Sequence, residues 1–155
     1  MRLLRVALLG AATVGWAAWL AVAPAVAGSA SSGPAVWVAA VTYRAGAFIC
    51  HQQDARSLHV AGVRMPVCSR CFGLYAGAAA GAAGALAWLV LNRRRPAARL
   101  RLPLTRSRWA AIASGVPTLL AWTAEHVAGF VVPDGPRALA AVPLGAAIAV
   151  IVALW

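Results

Sequence analysis

Residues 72–91 read FGLYAGAAAGAAGALAWLVL and run directly into the basic cluster Asn92-Arg93-Arg94-Arg95. An uncharged apolar run of this length matches the roughly 20 residues that an α-helix needs to cross a bilayer. The arginines that close it sit where the positive-inside bias of membrane loops would put them. Within the run, Gly73, Gly77 and Gly81 recur four apart, with Gly84 one step further. Glycines at that spacing form a groove on one helix face, which lets a neighbouring backbone approach closely. Their expected role is helix–helix packing, within one chain or between copies in a homo-oligomer.

The rest of the chain shares this character. Hydrophobic residues make up 63% of the 155 and charged residues only 11%. That is less than half the charge of a typical soluble domain, so the polar residues needed to cover a water-facing surface are missing. The solvent for most of this chain is lipid. A net charge of +11 could in principle neutralise nucleic-acid phosphates. Seven of the arginines, however, fall between two apolar runs at Arg93, Arg94, Arg95, Arg99, Arg101, Arg106 and Arg108. A basic run beside a span is orientation signal, so no nucleic-acid partner is expected. Every basic residue is arginine and alanine is abundant, a bias that suggests a GC-rich bacterial genome.

Working outward, Val6 to Ala27 is a first apolar run of spanning length. Ala25-Val26-Ala27 also fits a signal-peptidase site, but the stretch is long for a signal peptide, which favours a retained helix. Gly28 to Pro34 is Ser/Gly-rich and reads as a linker. Ala35 to Ile49 is apolar but contains Arg44 and is too short to span, which suits a surface-lying or re-entrant amphipathic helix. Trp109 to Val132 reads as a further span with Glu125 and His126 in its outer portion. Pro133-Asp134-Gly135-Pro136 reads as a tight turn, and Ala138 to Trp155 returns across the membrane.

The expected fold is therefore an all-α, polytopic transmembrane bundle of about four spans. Its organisation is an N-terminal helix at 1–27, an extracytoplasmic Cys/His segment at 28–71, and three helices at 72–155. An Arg-rich cytoplasmic loop lies at 92–108. Nine arginines fall on the proposed inner side and five (Arg44, Arg56, Arg64, Arg70 and Arg137) on the outer. That bias places both termini of a multi-pass protein in the cytoplasm and residues 28–71 outside the cell membrane.

All three cysteines fall in one stretch, as Cys50-His51-Gln52 and Cys68-Ser69-Arg70-Cys71. The C-x-x-C pair lies where loop turns into helix, so both sulfurs share the face of a first turn. Exposed N–H groups and the helix dipole there favour thiolate, and Arg70 adds positive charge. Thiolate either ligates metal or attacks disulfides. Three thiolates with one histidine would make a zinc-like site; His51 and His126 are the candidates, with His59 in the loop between. Two alternatives remain open: a membrane thiol–disulfide oxidoreductase using Cys68 and Cys71, and a non-catalytic scaffold held by a structural disulfide. Covalent c-type haem needs C-x-x-C-H, and Phe72 follows Cys71, which excludes it. Glu125 is either a functional ionisable group within a span or an interfacial partner of Arg70 or Arg137.

Ile49-Cys50-His51-Gln52, Arg56-Ser57, Gly62, Pro66, Cys68-x-Arg70-Cys71, Gly73, Tyr75 and Gly77 together resemble the signature of the DUF2085 family of small prokaryotic polytopic membrane proteins. The likeness covers roughly residues 43 to 145. It implies the same helical architecture and singles out Cys50, His51, Cys68, Arg70 and Cys71, which makes His51 a stronger ligand candidate than His59. Family members carry an Asp-Gly and a Gln where this chain reads Ala121-Trp122-Thr123-Ala124-Glu125. Asp134-Gly135-Pro136-Arg137 resembles the family's Asn-x-x-Arg element, with Asp in place of Asn.

Overall fold

A computed structural model describes residues 2–29, 32–92 and 104–154. Among them are five α-helices: α1 (Arg2–Ser29), α2 (Pro34–Ile49), α3 (Ser69–Leu91), α4 (Leu104–His126) and α5 (Asp134–Leu154). The protein is an all-α membrane bundle. Helices α1, α3 and α5 are long and apolar enough to cross a membrane. Helix α4 has the length, at 23 residues, but Ser107, Arg108, Ser114, Thr118 and Thr123 dilute its apolar run. Most of the basic loop expected at 92–108 lies outside the described residues.

Helix α3 is the hub, packing on α1 along one side and on α5 along another. The α3–α5 contact runs in parallel and rests on glycine. A Cβ on Gly73, Gly77 or Gly81 would collide with the backbone of Ala138, Val142 or Ala146 respectively, and one on Gly145 would collide with the carbonyl of Leu74. The glycine face is thus filled within the chain by α5. Gly84 meets nothing within 4 Å and lies off the seam. In lipid, where apolar contact alone gains little, such approach supplies the dispersion energy that holds helices together.

The bundle has two distinct ends. Val6 of α1, Ala85 and Leu89 of α3, and Ala153 and Leu154 of α5 cluster at one. Leu20, Cys50, Met65 and Val67 cluster at the other, with Trp16 and Tyr75 packed against them. Helix α1 therefore runs antiparallel to α3, while α4 descends antiparallel to α5. Thr118 Oγ1 donates to the Ala140 carbonyl at 2.8 Å across that last pair. Helix α2 lies against α1, where Trp19 Nε1 donates to Thr42 Oγ1 at 3.0 Å.

Three local features depart from the sequence expectations. A two-stranded antiparallel hairpin, β1 (His59–Val60) and β2 (Val63–Arg64), stands in the segment between α2 and α3. Its turn uses Ala61 at φ 50° and Gly62 at φ 79°, the left-handed pair that tight hairpins need. The apolar run expected to remain helical to Val132 stops at His126, where Gly129 at φ 68° redirects the chain. Residues 133–136 are not a free-standing turn, because α5 begins at Asp134. Pro136 falls in its first turn, where a missing N–H breaks no helical bond.

The seam predicts a sharp contrast. Gly77→Val should destabilise the detergent-solubilised protein by about 3 kcal/mol, the upper end for overpacking, because the atoms it meets are backbone. Gly84→Ala should cost nothing. Thermal unfolding of the two variants side by side checks this, and equal stability would remove the seam's role.

Candidate functional site

Cys50 sits immediately after α2, as the residue that caps its C-terminus. Cys68 caps the N-terminus of α3 and Cys71 lies in that helix's first turn. All three thiols are free, and their sulfurs lie within 4.8 Å of one another. Sulfurs around one zinc stand roughly 3.8 Å apart when each bond is about 2.3 Å. The cluster is therefore within about an ångström of ligating distance. The Cys50 sulfur accepts the Cys68 backbone N–H at 3.1 Å, which ties the two segments directly.

The placement of Cys50 depends on a polar knot that the sequence did not single out. Gln52 adopts φ 47°, and its Nε2 donates to the carbonyls of Tyr43 and Pro66 at 2.7 Å each. Arg64 Nη1 donates to the Gln52 carbonyl, and the Tyr43 hydroxyl donates to the Arg64 carbonyl. Burial pushes the Tyr43 phenol above its usual range, which keeps it a donor. Gly46 permits the approach, since a Cβ there would strike the Pro66 carbonyl and the Gln52 amide. Knot and apolar packing together bury Cys50, which is 9% exposed against Leu20, Met65 and Val67.

The Cys68 thiol stands just outside the apolar span of α3. Hydrogen bonding from the Cys71 side chain, then from the Cys71 backbone, Cys50 and the Arg70 backbone, outweighs its burial and brings its pKa down to about 5. This is the effect expected of a thiol at the start of a helix.

The ionisable residues beside the sulfurs form a second network. Glu125, whose side chain is 4% exposed, receives Arg137 Nε at 2.6 Å and Arg70 Nη2 at 3.3 Å. Arg137 Nη1 reaches Asp134 Oδ1 at 2.7 Å. Ser69 Oγ lies 3.0 Å from the same Asp134 oxygen and donates to the Arg56 carbonyl at 2.9 Å. Between the two networks is a partly open cavity of about 240 Å³, lined by the three cysteines together with Arg56, Arg70 and Arg137.

The structure brings Cys50, Cys68 and Cys71 together and places His51, exposed, on the same cavity. Neither His51 nor His126 belongs to the sulfur group. His126 is exposed and stacks on Trp122, with ring centroids 4.6 Å apart. His59 pairs with Asp54 at 3.2 Å. Glu125 takes up both Arg70 and Arg137. Gln52, Arg56 and Ser69 are the residues that sequence reasoning did not assign, because their partners are backbone carbonyls and a cavity that no spacing announces.

Residues 50–151 match the sequence model of DUF2085, described as a predicted membrane protein. Among curated proteins, an uncharacterized protein of Methanocaldococcus jannaschii is 46% identical over 39 residues, which is 25% of this chain and 25% of that protein. The chain thus spans about a quarter of the length of the curated relative it matches. No solved structure matches it.

Two outcomes follow from the geometry. Glu125→Ala strips a buried arginine of its closest carboxylate, and should cost about 3 kcal/mol or more in detergent unfolding, with Glu125→Gln costing less. In reduced, metal-free protein, alkylation of Cys68 by iodoacetamide should be at its plateau by pH 7 and decline only as pH falls through about 5. That follows because a lowered pKa keeps thiolate present above it. A rate still rising between pH 7 and 9, as for an ordinary thiol, would contradict it.

Proposed function

This chain belongs to the DUF2085 family of predicted membrane proteins, and we propose that it holds a soft divalent metal ion, zinc foremost, on Cys50, Cys68 and Cys71. The observation that carries the reading is the convergence of three free sulfurs, from opposite ends of an 18-residue excursion, within 4.8 Å. Thiolate is the protein ligand that such ions favour most. The depressed Cys68 thiol and the N–H that Cys50 accepts suit sulfurs carrying negative charge. His51, on the rim of the same cavity, is the group proposed for the fourth position, ahead of His126. With four protein ligands the site is structural; with one position left open, the ion would supply Lewis acidity toward whatever the cavity admits.

The site faces the non-cytoplasmic side in this reading, with both chain termini inside. Its support is the separation of ends: the sulfurs lie at the end of the bundle opposite to Leu91, where the chain enters the Arg-rich loop. The second reading is thiol–disulfide exchange, favoured by Cys68, whose thiol is acidic at a helix start beside Cys71. A disulfide-held scaffold is the third.

Metal titration of the reduced, full-length protein in detergent separates them. Cadmium or cobalt should bind at one ion per chain with a thiolate-to-metal absorption band. Cys50→Ser should weaken binding by about a hundredfold or more, since removing a thiolate ligand costs at least what losing an outer-shell partner does. Sub-stoichiometric metal with a reversible Cys68–Cys71 disulfide overturns the proposal in favour of exchange. A disulfide inert to mild reductant overturns it in favour of the scaffold.

A further inference from the structure

The cavity beside the sulfurs has more positive charge than the surrounding carboxylates satisfy. Arg56, Arg70 and Arg137 line it. Two carboxylates answer them, and both are already engaged: Glu125 by Arg137 and Arg70, and Asp134 by Arg137 and Ser69. Arg56 has no carboxylate within ion-pairing distance among the described residues. Arg70 Nε, itself enclosed by protein, has no acceptor among the described residues.

We propose that this cavity is a binding site for a small oxyanion, held by the Arg56 guanidinium, with Arg70 and Arg137 behind it. Guanidinium groups present planar forks of donors that match phosphate, sulfate and carboxylate oxygens and form the stronger, charge-assisted class of hydrogen bond. Arg137 is held rigidly, 5% exposed between two carboxylates, so it contributes field more than free donors. The cavity, about 240 Å³, falls below the roughly 300 Å³ at which pockets begin to hold drug-sized molecules. A single tetrahedral or carboxylate group fits that size, and so does a phosphate that belongs to a lipid headgroup. The inference stands on the guanidinium arrangement and does not require a metal. A thiolate next to the cavity competes for the same positive charge, and a thiolate-bound cation relieves that competition.

The test is calorimetric titration of sodium sulfate into the full-length, reduced protein in a zwitterionic detergent, at constant ionic strength. It is run on chelator-treated and on cadmium-treated samples. One saturable site per chain is expected in both samples, the tighter one in the cadmium-treated protein. Arg56→Gln should weaken it about tenfold or more, and Arg56→Lys, which keeps the charge but loses the fork, by less. Arg44→Gln, an exposed arginine away from the cavity, should not change it. Doping the micelles with phosphatidylglycerol identifies the source: competition assigns the site to headgroup phosphate, and its absence assigns it to a free anion. No saturable heat in either sample, or sulfate affinity unchanged in both Arg56 variants, overturns the proposal whether or not cadmium binds. Loss of cadmium binding with sulfate binding intact overturns only the metal reading.

Discussion

Close approach of α3 and α5 is the constraint on which the rest of this structure depends. Lipid tails are as apolar as leucine, so burying side chains between spans gains little, and helices associate through dispersion at short range. Removing the Cβ at Gly73, Gly77 and Gly81 lets the α5 backbone settle against α3 at Ala138, Val142 and Ala146, and Gly145 does the same from the other side. The pairs Gly73–Ala138, Gly77–Val142 and Gly81–Ala146 share one 65-residue offset, so the two helices stay parallel and in register over more than two turns. Thr118, donating to Ala140, then fixes α4 against the outer side of α5.

Parallel packing has an electrostatic consequence at one end of the molecule. It brings two helix N-termini side by side, each carrying the positive pole of its dipole, together with Arg70 and Arg137 from their first turns. Such a concentration of positive charge is unfavourable unless anions meet it. Asp134 stands in the first turn of α5, and Glu125 arrives from the C-terminal end of the antiparallel α4 to bind both arginines. The sulfurs are the other groups there able to carry negative charge. The Cys68 thiol is brought low by hydrogen bonds within the cysteine group and from the Arg70 backbone, so its thiolate adds to the negative charge available at this end.

Composition made the lipid-embedded helices legible, because a bilayer demands long uncharged runs and tolerates few alternatives. The glycine spacing was equally plain, but it says only that some backbone comes close; nothing in α5 beyond Gly145 marks it as the partner. The ends of elements were less visible. Gly129 sits inside an apolar run and reads as part of the span until its left-handed backbone is seen. Pro133 to Pro136 reads as a turn because proline punctuates loops, although the first turn of a helix accepts it equally well. The hairpin has two residues per strand, too few to produce alternation, and Ala61 gives no hint of a positive φ. At the site, cysteine announces itself by type and spacing. Gln52, Ser69 and Arg56 do not, since an amide, a hydroxyl and a guanidinium gain their roles from carbonyls and anions brought near by the fold.

The effort spent on Cys50 bears on which chemistry the cluster serves. A dithiol exchange pair is complete within the first turn of α3, where Cys68 and Cys71 already share a face. The third sulfur comes from beyond α2, and three features of unrelated sequence hold it. These are the Gln52 amide spanning Tyr43 and Pro66, the Arg64 and Tyr43 donors that close the knot, and the bare face of Gly46. Ordering a positive-φ glutamine and an extended loop costs conformational entropy. A resolving thiol needs only to arrive within reach, whereas a ligand must stay at a fixed distance from two others. The rigidity of the Cys50 support, more than the count of sulfurs, is what weighs toward coordination.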